Sequence, residues 1–334
     1  MNRKSHFLAL SDYTGDELNE LLNMADQLKY EQKHRMEQTG LRGRTLGMIF
    51  DRRSTRTRVS FETGMYQLGG MAMFLSDRDL QLGQGEPMQD TARVLSGYLD
   101  GLMIRTGSHA DAETLAEYAA VPVINGRTDF AHPCQVLADL MTIREYKRTF
   151  RDKKVCYVGC GGSVANSLIV GALKVGMTVT AACPEGCDPD AGILAWAGET
   201  GRFTLTRDPM GAAEGADVVY SGLWDREISE KDEESQKKGF SNFQVNDILT
   251  RIAKTDAIVL HCLPAHRGQE ITGEVFEEHA GEIFTQAENR LHAQKAVLLR
   301  LLGDHGSPGP GASPLRRRKK FYLFFLSVHC GRTN

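Results

Sequence analysis

Short apolar runs alternate along this chain with segments whose apolar positions recur at helical spacing. Between residues 44 and 147, the runs at 45–50, 71–75, 101–105 and 121–125 read as strands, and 59–68, 91–99, 112–119 and 135–147 read as helices. A second series repeats the alternation, with strands predicted at 154–158, 178–182, 203–207, 217–220 and 256–261. Strands joined through helices of this length pair in parallel, with right-handed crossovers. The predicted fold class is therefore α/β, as two doubly wound parallel-sheet domains with an active-site cleft between them, hinged near residues 132–140. A long helix at 288–302, with Arg290 at its start, closes the pattern.

Ligands of such sheets bind outside the carboxyl ends of the strands, and the polar clusters of this chain fall there. Phe50 leads toward Ser54-Thr55-Arg56-Thr57-Arg58, Ile104 into Arg105-Thr106, Ile124 into Asn125, Val158 into Gly159, Tyr220 into Ser221, and Leu260 into His261-Cys262-Leu263-Pro264. The first is the most specific. A strand that ends in hydroxyl and guanidinium side chains and then opens a helix offers backbone N–H groups, the positive end of the helix dipole and bidentate donors to one anion. Cations in a first helical turn oppose the dipole unless an anion sits among them, so Arg56 and Arg58 point to a dianionic phosphate.

Three segments carry a family resemblance. Ser54-Thr55-Arg56-Thr57-Arg58 matches the S-T-R-T-R carbamoyl-phosphate loop of the ornithine branch of the aspartate/ornithine carbamoyltransferase family; His132-Pro133-Cys134-Gln135 and His261-Cys262-Leu263-Pro264 match its H-P-C-Q and H-C-L-P segments. The chain resembles the family over residues 5–303. The resemblance implies that Ser54, Thr55, Arg56 and Thr57 hold the phosphate of carbamoyl phosphate, that Arg105 bridges phosphate and carbonyl oxygen, that His132 and Gln135 contact the carbamoyl group, and that Arg290 adds a phosphate contact. It also implies that the backbone turn at Cys262-Leu263 receives the carbamoyl NH2 and that these two residues line the amine side, with Cys262 facing the amine and Arg105, His132 and Cys262 in the catalytic roles. Gln81, in the loop 79–86, matches a residue that reaches into a neighbouring subunit, which implies a homotrimer. By the same resemblance, residues 1–133 plus 286–303 bind carbamoyl phosphate, 134–285 bind the amino acid, and 304–334 form a flexible tail outside the family. The implied reaction carries the carbamoyl group to the δ-amine of L-ornithine, giving citrulline and phosphate for arginine biosynthesis, with no metal or organic cofactor.

The amine half departs from the family. Ornithine-specific members end the first strand of the second domain in D-G-N-N-V-A-N-S, whereas this chain has Cys160-Gly161-Gly162-Ser163-Val164-Ala165-Asn166-Ser167. Ser163 thus replaces an amide, losing reach and two donors. After Tyr220 the family shows an Asp and then a Ser-Met-Gly loop; here Gly222 takes the Asp position and Asp225 follows Trp224. An α-ammonium entering such a site loses a charge-assisted bond, about 1.5–3 kcal/mol. Three explanations stand: Asp225 substitutes in amine binding from a shifted loop; the acceptor is another amine, such as putrescine or an N-acylated ornithine; or coding-sequence damage has left a weak or inactive protein. A reading of another class is a catalytically silent carbamoyl-phosphate-binding paralogue acting as a sensor or subunit. The G-x-G-G spacing after Val158, with Glu185 beyond, admits a nicotinamide-dinucleotide reading, which leaves the three family segments without a task.

Composition narrows the partners. The 334 residues suit about two domains. Forty basic and 43 acidic residues give a net charge of −3, with no overall field for nucleic acid or an acidic membrane. Seven scattered cysteines, an odd number, and an N-terminus without an apolar signal core fit a reduced cytoplasm. Cys183 and Cys187 have ligand-like spacing but no second Cys or His pair, so no metal site is predicted. No run reaches the roughly 18 apolar residues of a membrane span, and the Gly/Ser/Pro-rich stretch after Gly303 reads as a flexible extension.

Overall fold

Strand β1, Thr45–Phe50, carries a nearly unbroken apolar run and is buried from Leu46 onward, as a strand covered on both faces must be. A computed structural model describes residues 5–81, 85–224 and 239–303. In it β1 pairs in parallel with β2, Met71–Ser76, and with β3, Gly101–Arg105, which pairs with β4, Val123–Arg127. The strand order is β2-β1-β3-β4. A second parallel sheet, ordered β7-β6-β5-β8-β9, is built from β5 Lys154–Val158, β6 Thr178–Ala182, β7 Phe203–Thr206, β8 Val218–Ser221 and β9 Ile258–His261.

Each order reverses at one place, between β1 and β3 in the first sheet and between β5 and β8 in the second. Adjacent connections there leave in opposite directions, which opens a crevice at the strands' carboxyl ends. The predicted site residues follow β1, β3, β5, β8 and β9, and the two sheets belong to one contact unit, Met1–Leu302.

Helix α1, Gly15–Lys33, begins with a capping box in which Thr14 accepts the Glu17 amide (3.2 Å) and Glu17 accepts the Thr14 amide (2.9 Å). Helix α2, Thr55–Gln67, starts four residues before the predicted position, with Ser54 as its N-cap. Helices α3, Met88–Ser96, and α4, His109–Tyr118, complete the first sheet's crossovers. Helix α5, Pro133–Lys147, is buried continuously from Pro133 to Ile143. It is one uninterrupted helix, so the expected hinge at 132–140 is not a break in the chain path. Helix α6, Ser163–Lys174, follows β5.

The last helix, Ala280–Leu302, packs on α5, α1 and α2. It begins eight positions before the predicted 288, because the buried Gln286 and Asn289 interrupt its apolar period; Arg290 lies near its middle, not at its start. Polar residues in this interface are paired, as burial demands. Lys29 binds Glu145 (2.8 Å) and Asn289 (2.7 Å), and buried Lys295 donates to Gln32, Gln38 and Gln67.

Candidate active site

The first turn of α2 faces the cationic cluster. Ser54 Oγ accepts the Thr57 amide (3.3 Å), fixing the helix start, and the turn holds no acidic residue that would neutralise its dipole. Thr57 is fully buried and its hydroxyl receives Arg290 Nη2 (2.9 Å), with Arg105 Nη1 at 3.5 Å. Arg290 turns its other amino group to Gln135 Oε1 (2.8 Å). Arg56 crosses to the second sheet and donates to the Leu263 carbonyl (2.6 Å).

Arg127 adds its charge to Arg56, Arg105 and Arg290, and among the described residues no carboxylate is hydrogen-bonded to these four. Burial and the like charges of Arg127 and Arg290 push the Arg105 guanidinium down, and burial does the same to Arg56 and Arg290. Desolvated like charges are costly unless an anion joins them. Arg105 Nε, Arg290 Nε and His132 Nδ1 are buried without a hydrogen-bond partner among the described residues. Burial, reinforced by Arg290, Arg127 and Arg105, holds His132 far below the usual imidazole range, so it is a neutral group.

His132 sits at the N-cap position of α5, its amide donating to Ser167 Oγ (2.8 Å), while Asn166 donates to the Phe130 carbonyl (2.9 Å). The V-A-N-S segment of α6 therefore fixes the H-P-C-Q segment. From Arg290 a relay runs through Gln135 to Asp139 (2.8 Å), from Gln286 to the same Asp139 Oδ1 (2.6 Å), and from the His261 amide to Gln286 Oε1 (2.9 Å). It joins the phosphate side to the end of β9. Burial pushes the Asp139 carboxyl up to about 6.

Cys262 and Leu263 follow β9. Leu263 adopts φ 56°, a left-handed conformation uncommon outside glycine, which turns its carbonyl to Arg56. Burial pushes the Cys262 thiol up to about 11, so it stays protonated at neutral pH and is no thiolate nucleophile.

The structure brings together Arg56, Thr57, Arg105, His132, Gln135, Cys262, Leu263 and Arg290, with Ser54 and Thr55 opening α2 beside them. Ser163 is buried at the start of α6 and Gln81 is exposed; no hydrogen bond among the described residues joins either to the cluster. Asp225, and the tail 304–334, lie outside the described residues. Asn125, expected at a strand end, lies inside β4 and ties Leu8 (2.8 Å) to Ala131. The strand runs on to Arg127, in register with Arg105, and this puts in the cluster a cation the sequence reading passed over. Its position at a strand's carboxyl end is the signal that could have found it. Asp139, Gln286 and Glu270, also unanticipated, carry no local motif.

Gly161, after β5, and Gly222, after β8, answer to packing. A Cβ at Gly161 would lie 2.2 Å from Pro189 N, and one at Gly222 would lie 2.1 Å from the Tyr157 hydroxyl.

Comparison with known proteins agrees with this geometry. The family model for the aspartate/ornithine carbamoyltransferase carbamoyl-P binding domain matches residues 5–145, and that for the Asp/Orn binding domain matches residues 151–301. The chain is 51% identical over 306 residues to an ornithine carbamoyltransferase of Carboxydothermus hydrogenoformans, covering 90% of this chain and 98% of that one. It is 50% identical over 303 residues to one of Oceanobacillus iheyensis, covering 89% and 94%. The solved ornithine carbamoyltransferase of Pyrococcus furiosus superposes with a TM-score of 0.85 at 47% identity, over 92% of this chain and 98% of that one.

Proposed function

The chain belongs to the aspartate/ornithine carbamoyltransferase family, and from that premise we propose that it moves the carbamoyl group of carbamoyl phosphate to the δ-amine of L-ornithine, releasing citrulline and phosphate. The observation that carries this reading is the buried cationic cluster with its unpartnered Arg105 Nε, Arg290 Nε and His132 Nδ1. The phosphate lies against the first turn of α2, held by Ser54, Thr55, Arg56, Thr57 and Arg290. Arg105 and neutral His132 donate to the carbonyl oxygen as negative charge develops there, with Gln135 beside it. The Leu263 carbonyl takes an N–H of the carbamoyl group, and Cys262 faces the amine.

The neutral amine attacks the carbamoyl carbon; the C–N bond forms, the C–O bond to phosphate breaks, and its electron pair and then the amine proton pass to the departing phosphate. A free δ-amine has a pKa near 10.4, so the site must favour the neutral form. Neighbouring guanidinium charges disfavour an ammonium and so support that role. Residues 1–133 plus 286–303 hold carbamoyl phosphate, and 134–285 hold the amino acid.

We place the enzyme in the cytoplasm, in arginine synthesis, as a homotrimer. The edge strand β2 leaves Met71 (53% exposed) and Phe74 (38%) on the surface, and Tyr98 (77%) is exposed just after α3; this apolar area supports self-association. Gln81, exposed five residues past β2, supplies in this reading the contact to a second copy that the family resemblance implies. Among the described residues, no helix is long and apolar enough to cross a membrane.

One observation favours a second acceptor reading. Tyr157 fills the space beside Gly222, so a carboxylate for an α-ammonium has no room there, which favours an amine such as putrescine or an N-acylated ornithine. Ureido product formation from carbamoyl phosphate with ornithine, putrescine, lysine and N-acetylornithine, against an Arg56→Ala control, decides between them. Carbamoyl-phosphate binding without turnover would mark a silent paralogue.

A further inference from the structure

Glu270 stands apart from every residue named for carbamoyl transfer, yet it is almost wholly buried (1% exposed) behind the turn that follows β9. Its Oε1 accepts His261 Nε2 (3.0 Å) and the His266 amide (2.7 Å), so one oxygen atom fixes both ends of the turn 261–266. His261 Nδ1 in turn accepts the Leu263 amide (2.8 Å). An imidazole that accepts at Nδ1 carries its proton on Nε2, and the carboxylate is what holds that tautomer. The Leu263 amide so captured belongs to the residue in the left-handed conformation, whose carbonyl meets Arg56 at 2.6 Å. A non-glycine residue is kept in that conformation only by surroundings that over-determine it. The Glu270 carbonyl also accepts Ser221 Oγ (3.1 Å), next to Gly222, so the ends of β8 and β9 are both referenced to this residue.

We propose that Glu270 is a positioning residue for carbamoyl transfer: through His261 and the His266 amide it holds the Leu263 turn, and with it the Leu263 carbonyl and Cys262, in register with Arg56. The inference rests on the carbamoyltransferase reading and extends it to a residue that touches neither substrate. Burial raises the Glu270 carboxyl, but the bonds from His261 and from the His266 amide outweigh it, and the net direction is down. The ionised acceptor is the form the fold keeps.

Geometry and charge can be separated by two conservative changes in the full-length protein. Glu270→Gln keeps an oxygen at the Oε1 position and loses the charge; Glu270→Asp keeps the charge and withdraws it by one methylene. A positioning role predicts that the Asp variant loses on the order of 10- to 100-fold in kcat, while its KM for carbamoyl phosphate and kcat of the Gln variant each stay within about threefold of the parent. The thermal shift with carbamoyl phosphate serves as the folding control. If the Asp variant does not fold, Glu270→Met, which keeps the volume and removes the acceptor, takes its place. A Gln variant slower than the Asp variant, or both at the parent rate, overturns the proposal. The amine used is the one the parent turns over. A parent silent with every amine fails the proposed function and the positioning role with it, whereas an active parent with unaffected variants fails the positioning role alone.

Discussion

Arg290 Nη2 donates to Thr57 Oγ1 at 2.9 Å, a bond between the closing helix and the first turn of α2 that joins positions 233 residues apart. The same guanidinium holds Gln135, so one side chain ties the phosphate loop to the H-P-C-Q helix. Arg290→Met should lower kcat/KM for carbamoyl phosphate on the order of 10²- to 10³-fold, the cost of removing one preorganised charged donor. Carbamoyl phosphate at 100 times its Kd should stabilise the parent by about 2.7 kcal/mol and leave the variant unmoved at the same concentration. A variant that retains both parent values contradicts the assignment.

Asp139 gives the fold a pH dependence of definite sign. Its folded pKa of about 6 lies above its unfolded value, so it favours the folded state most when protonated. That contribution is complete below about pH 4 and is lost as pH rises through about 6. Asp139→Asn cannot titrate. The parent's stability relative to this variant, from urea unfolding, should fall by up to about 1.4 kcal/mol per pH unit across that window and then level off. Glu270, shifted the opposite way, is present in both proteins and cancels in the difference. A constant difference from pH 4 to 7 would contradict the buried-carboxyl assignment.

Cys262 is held as a thiol, with its pKa pushed to about 11 by burial. Cys262→Ser should therefore keep kcat within roughly tenfold, and the parent Cys262 should react with iodoacetamide at pH 7.5 far more slowly than a free thiol of pKa about 8.5. Peptide mapping of the alkylated protein measures the second quantity. Rapid labelling at Cys262, or loss of all turnover in the Ser variant, would assign it a nucleophilic role.

Gly222 is sterically committed. A Cβ there lies 2.1 Å from the Tyr157 hydroxyl and 2.4 Å from Cζ, and that hydroxyl donates to the Cys160 carbonyl at 2.6 Å. Gly222→Asp should destabilise the protein by about 1–3 kcal/mol as an overpacked core position. Tyr157→Phe should not relieve it, since the ring carbons clash as well. Thermal melts of the single and double variants test this; an Asp variant of unchanged stability that binds ornithine more tightly would show that the loop repacks.

Strands of uniform environment were read to the residue, as was the partly exposed β6. Strands β1, β3 and β5 are buried on both faces, so their apolar runs begin and end where the strands do. Strand β4 was displaced by two residues because polar Asn125 and Arg127 belong to it. The closing helix was shortened because Gln286, Asn289 and Arg290 point inward to partners rather than to solvent. The phosphate loop was legible because its donors are contiguous in sequence. The relay through Asp139 and Gln286 was not, since its members stand 147 positions apart and become neighbours only once α5 and the closing helix pack. Glu270 was hidden for another reason: it lies on the same connection as Leu263, and its task is set by how that turn folds back on His261, which no spacing in the sequence announces.

The most direct test is turnover itself. Purified protein incubated with carbamoyl phosphate and L-ornithine should form citrulline and phosphate in equal amounts, and Arg56→Ala, which removes the donor spanning to Leu263, should abolish most of that rate. Carbamoyl phosphate that binds without yielding a ureido product from ornithine, at any concentration up to saturation, would contradict the account.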